Sequence, residues 1–159
     1  MKKEIPSRTK KGIESVPERI KVLNETQYFA VLATDDNGRP YASLVAYAFT
    51  PELRKVIFAT PENTRKYKNI LIARHVALLI DNRSNTYTDI MNTEAITVTG
   101  TAKRVKRGKA WQELAHIYIV KHPELEEFLN APTTALMILE VEQCVHVGKF
   151  QTISVWNYR

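Results

Sequence analysis

Apolar and polar residues alternate with a period of two over most of this chain, and stretches with a period near 3.6 interrupt that alternation. The first of these, "VPERIKVLNETQ" (16–27), predicts a short helix. Ile20, Val22 and Leu23 give it a buried side, and Pro17 suits an early helical position. "YFAVLATDDNGRPYASLVAYAF" then reads as a hairpin, because two β-rich runs flank Asp36-Asn37-Gly38, residues able to take positive φ. "KVIFAT" (55–60) predicts a third strand, a helix covers about 63–73, and "HVALLID" (75–81) predicts a fourth strand.

Threonines alternate with apolar residues along "EAITVTGTAKRV" (94–105), the expected fifth strand. "KAWQELAHIYIVKH" (109–122) places Trp111, Leu114, Ala115 and Tyr118 on one helical face. Pro123 breaks that helix, "PELEEFLN" adds a turn or two, and "TALMILEVEQCVHV" (134–147) is a long last strand. A series of antiparallel strands with a few helices predicts a mainly β fold with α elements, a small barrel.

The bulk numbers narrow the class. The 159 residues suit one domain, with 1–13 as a flexible basic arm and 14–159 as the folded unit. The single cysteine, Cys144, excludes an internal disulfide framework and fits a reducing, cytoplasmic setting. The longest apolar segment, "ILIARHVALLI", is too short to span a membrane. A net charge of +6 suggests a polyanionic partner, but the basic runs 1–11 and 103–109 lack the interleaved aromatics of a base-stacking surface.

One segment breaks a local rule. In "IFATPENTRKYKNI" (57–70), Arg65, Lys66 and Lys68 stand at a helix start, where the helix dipole disfavours cations. Either these residues face solvent, or the free N–H groups, the cations and the hydroxyls of Thr60 and Thr64 form an anion site suited to phosphate. A second segment, "PYASLVAYAF" (40–49), turns Ala42, Leu44, Ala46 and Ala48 to one face. That face either packs closely on a helix or receives something flat and rigid.

Other reactive residues are sparse. His75, His116, His122 and His146 have no metal-ligand spacing, and no metal site is expected. His116 is expected on the buried or interface side of its helix, and Cys144 as a small buried residue. There is no glycine-rich phosphate loop and no triad motif, so reactive chemistry would belong to a bound cofactor.

The order "VLATDDNGRPYASLVAY", "VIFATPENTRKYKNI", "HVALLIDNR", "AITVTGTAKRV" resembles the pyridoxamine 5′-phosphate oxidase-like family of FMN-binding split barrels, over about residues 15–147. The resemblance implies a split barrel of about six antiparallel strands flanked by helices, a homodimer, and flavin at the subunit interface. It implies that Ser43, Leu44, Val45 and Ala46 lie along the flavin ring, and that Ala59 and Thr60 also touch it. It further implies that Arg65 and Lys66, with Thr64 beside them, hold the FMN phosphate.

The departures from that pattern are as specific. Oxidases acting on vitamin B6 carry a lysine where this chain has Ala48 and a glutamine where it has Ala95. Their arginine-rich segments are matched by neither "IYIVKHPELEEFL" nor "SVWNYR". The expectation is an FMN-dependent oxidoreductase of unknown substrate that does not oxidise pyridoxamine phosphate. The rival readings are the same fold with the deazaflavin F420 or with haem on His75 or His146, and a non-catalytic module binding flavin or nucleic acid. Trp156 is a candidate aromatic against the flavin.

Overall fold

A computed structural model describes residues 15–148 and 152–158. The expected arm, 1–13, lies outside the described residues. The first helix, α1 (Val16–Thr26), starts at a capping box: Ser15 Oγ accepts from the Glu18 N–H, and the Glu18 carboxylate accepts from the Ser15 N–H. Strands β1 (Phe29–Asp36) and β2 (Arg39–Phe49) form the expected hairpin. Asn37 and Gly38 both have positive φ, 52° and 84°, which gives the two-residue turn the twist of its flanking strands.

The chain continues through β3 (Lys55–Pro61), α2 (Arg65–Ile72), β4 (His75–Asp81) and a short helix α3 (Asp89–Asn92). It then forms β5 (Ala95–Arg104), α4 (Lys109–Lys121), a 3-10 turn at Pro123–Leu125, α5 (Glu126–Asn130), β6 (Thr134–Gly148) and β7 (Thr152–Asn157). All pairings are antiparallel, in the order β3-β2-β1-β4-β5-β6-β7, and β3 also pairs with β6. Six strands therefore close a barrel, as the mainly β expectation required. The sequence pattern did not show β7, which adds to the far half of β6.

Inward-facing residues such as Leu32, Tyr47, Phe58, Leu78, Val98 and Met137 fill the barrel. A second apolar layer lies outside it. Trp111, Leu114, Ala115 and Tyr118 of α4 pack on Ala48, Ile57, Leu136 and Ile138. Gly100 is required where β5 crosses β6: a Cβ there would lie 1.9 Å from the Glu140 carbonyl oxygen, and the register shifts at this point. Among the described residues no helix is long and apolar enough to cross a membrane.

Candidate functional site: a split beside a helix N-terminus

Strand β2 pairs with β1 along its whole length up to Ala46, from Phe29↔Ala46 to Asp36↔Arg39. Its ladder with β3 holds only for Tyr47↔Phe58, Ala48↔Ile57 and Phe49↔Val56. Beyond Tyr47 and Phe58 the two strands part, and β3 keeps its pairing with β6 through Pro61↔Thr134. Ser43, Leu44, Val45 and Ala46 on one side, and Ala59 and Thr60 on the other, thus border a split in the barrel wall. Backbone polar groups along such an edge lack a ladder partner, although the Ala46 carbonyl accepts from Tyr118 Oη at 3.4 Å and both Ala46 and Ala59 pack in part against the α4 layer.

Alternation sorts the β2 residues. Val45 points into the barrel and is buried, whereas Leu44 points outward and is 64% exposed. The small side chains of Ala42 and Ala46 share Leu44's face, so the outer surface of β2 is low. Farther along, Ala48 is covered by α4. The close-packing reading of this strand holds at Ala48 and in part at Ala46, which packs against the same layer, whereas Ala42 and Leu44 stay exposed. On the other face, Ser43 Oγ is buried with no hydrogen-bond partner among the described residues.

The end of the split runs into α2. Thr64 is the N-cap, its Oγ1 accepting from the Tyr67 N–H at 3.4 Å and donating to the Pro61 carbonyl at 3.0 Å. Thr60 is buried, with its Oγ1 2.6 Å from Thr64 Oγ1. The first turn of α2 holds no acidic residue and the last turn no basic one, so its charges oppose its dipole. Arg65 lies over the Tyr41 ring at 5.2 Å and reaches Asp36 Oδ2 only at 3.9 Å, which ties the helix start to the first residues of β2. Burial pushes the Lys66 amine below its ordinary pKa. Glu62, the nearest preceding acid in the chain, is committed to Arg104 at 2.7 Å.

All nine residues singled out from the sequence for the cofactor therefore border one feature, the split and its helical end. The histidines do not converge. His146 Nε2 lies 3.1 Å from Glu94, and His122 Nε2 lies 2.7 Å from the Tyr47 carbonyl. His75 is exposed on the outside of β4. His116 is exposed as well, so of its two expected settings the core is ruled out and an interface position is left; the buried histidine of this region is His122, at the end of α4. Among the described residues no group of three acidic, histidine or cysteine side chains could hold a metal.

Cys144 is buried, as expected, and burial raises its thiol pKa to about 12. Trp156 does not project toward the split: it packs on the barrel's own core, 4.2 Å from the Tyr158 ring. The basic run 103–109 is partly committed internally. Lys103 pairs with Glu140, Arg104 with Glu62, and Arg107 stacks on Trp111.

The sequence pattern of the family described as pyridoxamine 5′-phosphate oxidase matches residues 16–148, most of the chain. The chain belongs to that family. None of the curated proteins compared with it matches. Solved structures of the same fold include a haem-binding protein from Mycobacterium smegmatis, with TM-score 0.80 and 16% identity. That match covers 91% of this chain and 59% of the mycobacterial one, so this chain spans about three-fifths of that protein's length. HutZ, a haem storage protein from Vibrio cholerae, superposes with TM-score 0.71 and 18% identity over 91% of this chain and 95% of its own. An FAD-binding protein from Mesorhizobium loti gives TM-score 0.65 and 15% identity over 84% and 94%. At such identities the likeness concerns the fold, which these solved structures by name combine with haem or with FAD.

One group escaped the sequence reading. Lys121, His122, Tyr47 and Asn24 form a half-buried polar cluster beside Ala46 and Ala48. The signal was present in α4: the buried stripe Trp111, Leu114, Ala115, Tyr118 continues at helical spacing onto Lys121 and His122. Polar residue types at those positions hid it.

Proposed function

We propose that this chain binds FMN at the split and acts as a flavin-dependent oxidoreductase on a small molecule other than pyridoxamine phosphate. The observation that carries this reading is the α2 N-terminus. Arg65 and Lys66 stand against the dipole at the end of two diverging strand edges, and Arg65 has only a long ion pair, to Asp36 at 3.9 Å. A phosphate dianion there would accept from the free helical N–H groups and both cations, and would reverse the charge–dipole conflict.

The edges at Ser43–Ala46 and Ala59–Thr60, apart from the Ala46 carbonyl that Tyr118 holds, would supply backbone donors and acceptors to the polar rim of a flat ring lying beside Leu44. Aligned backbone N–H groups there would stabilise negative charge on a bound ring without reorganising. When bound, a flavin supplies hydride and electron transfer. A different substrate from that of the vitamin B6 oxidases follows from Ala48, which carries no lysine and lies under α4.

Two copies of the chain would complete the site. Across the outer face of the sheet one cross-strand row runs Leu44, Val31, Leu79, Thr97, Val145, Val155, continuous through six strands. Leu44, Leu79 and Val155 are exposed in the single chain. A homodimer through this row would cover it and bring a second copy beside the split.

Haem is the second reading, because two of the similar structures are haem proteins by name. Of the two histidines weighed as an axial ligand, His75 is exposed, whereas His146 is engaged by Glu94. The visible spectrum of the purified protein, with mass identification of released cofactor, separates the cases. FMN bands support the proposal. A haem Soret band, F420, or a colourless protein that cannot be reconstituted with FMN contradicts it.

A further inference from the structure

Lys121 separates two adjoining hollows, one beside Ala46 and one beside Ala48, and the first has mostly apolar walls with His122 and Glu124 at its edge. Tyr28 and Phe29 at the start of β1, Val120 of α4 and Leu125 of the 3-10 turn line it, and all but Leu125 are more than half exposed. Lys121 reaches across its floor. Its Nζ lies 3.7 Å from the centre of the buried Tyr47 ring and donates to Asn24 Oδ1 at 3.3 Å. The Asn24 oxygen also accepts from the Phe49 N–H at 3.0 Å, so the side chain is fixed with its acceptor toward the amine. His122 Nε2, at the Tyr47 carbonyl, pins the same strand from the next residue.

The environment treats this lysine unlike an ordinary surface one. Burial pushes its amine down to about 7. The Tyr47 face and Asn24 Oδ1 both favour the ammonium and oppose that push. The other titratable groups around the amine are Tyr28, which lines both hollows, Glu25 of α1 on the Ala48 side, Glu124 of the 3-10 turn on the Ala46 side, and Tyr47, Tyr118 and His122. Burial keeps Tyr47 and Tyr118 protonated and pushes His122 below its usual range. No carboxylate hydrogen-bonds Lys121 among the described residues.

We propose that Lys121 is a reactive amine that captures a small aldehyde or ketone with an apolar or aromatic body. The neutral amine's lone pair attacks the carbonyl carbon and forms a carbinolamine. The C–O bond then breaks, water leaves with both amine protons, and an imine joins Lys121 to the ligand. No oxidant or reductant enters. A lysine in an apolar hollow supports this chemistry because an appreciable fraction is unprotonated near neutral pH. The aromatic walls Tyr28 and Phe29 set the preference for the body of the ligand. The site needs no flavin, so it stands whether or not the cofactor reading does.

Benzaldehyde is a suitable probe. The purified protein is incubated with it across pH 6–10, trapped with borohydride, and the benzylated lysines are located by peptide mass mapping. At pH 7.5 Lys121 should be labelled roughly tenfold or more faster than the average exposed lysine, with a labelling midpoint below about pH 9. Lys121→Arg should lose that adduct while keeping the wild-type circular dichroism. Labelling spread over the surface lysines, or a Lys121 profile that rises with theirs near pH 10, overturns the proposal. The wild-type pH profile decides the matter even if Lys121→Arg fails to fold.

Discussion

Arg65 and Lys66 stand at the helix end that electrostatics disfavours, so their removal separates a ligand role from a structural one. Each charge-assisted contact to a phosphate contributes about 1.5–3 kcal/mol, and Arg65→Ala with Lys66→Ala should weaken FMN by at least about a hundredfold. In the apo protein the same pair of changes should leave stability unchanged or raise it by up to about 1 kcal/mol. Urea denaturation of the apo variant checks this, and a loss of more than that amount would mean the cations pack rather than bind. Gly100 makes the opposite kind of claim. Gly100→Ala drives a methyl group into the Glu140 carbonyl oxygen, with backbone on both sides, and should cost about 3 kcal/mol in the same assay.

At the scale of elements, α1 is held to the barrel by a charged cluster rather than by its apolar side alone. The Arg19 guanidinium donates to both oxygens of Glu94, and His146 completes the group from β6. Burial pushes the Glu94 carboxyl up, but the hydrogen bonds from Arg19 and His146 and their charges more than reverse this, and its pKa is lowered. A carboxylate with a lowered folded pKa contributes stability that is present above its unfolded value and lost as pH falls through the folded one. Glu94→Gln should therefore cost about 2 kcal/mol at neutral pH, and the gap to wild type should shrink below about pH 4.5, read by thermal melts across pH.

Elements with a strict period were legible from the sequence. The hairpin at Asn37-Gly38, the threonine-lined β5 and the α4 stripe lie where alternation and turn chemistry placed them. The helix expected at 63–73 is observed at Arg65–Ile72. What escaped has physical reasons. Strand β7 is six residues, with exposed and half-buried positions and no buried side chain of its own, so its sequence carries little periodic signal. The Lys121 cluster depends on α4 meeting β2 and α1, a contact between segments distant in sequence. The split itself is a missing ladder between two strands, and single strands do not announce where pairing stops. His116 lies off the buried stripe because its apolar sequence neighbours sit on the other side of the helix.

For the whole molecule, the proposed site takes two copies of the chain. The row from Leu44 to Val155 crosses six strands on a face that a monomer leaves to water. Leu44→Asp with Leu79→Asp places charges in the middle of that row, where a subunit interface would desolvate them. These changes should convert a dimer to monomers by light scattering and weaken flavin retention with it. A wild-type protein that is monomeric at micromolar concentration would remove the second copy from the site.

The central claim is that the α2 N-terminus reads a phosphate on a flavin held at the split. Fluorescence titration of apo protein with FMN and with riboflavin, which lacks only the phosphate, isolates that contribution in wild type and in the Arg65→Ala, Lys66→Ala variant. FMN should bind wild type on the order of a hundredfold more tightly than riboflavin, and the variant should bind the two nearly alike. Equal affinity of wild type for both ligands, or a preference that survives in the variant, would contradict the account.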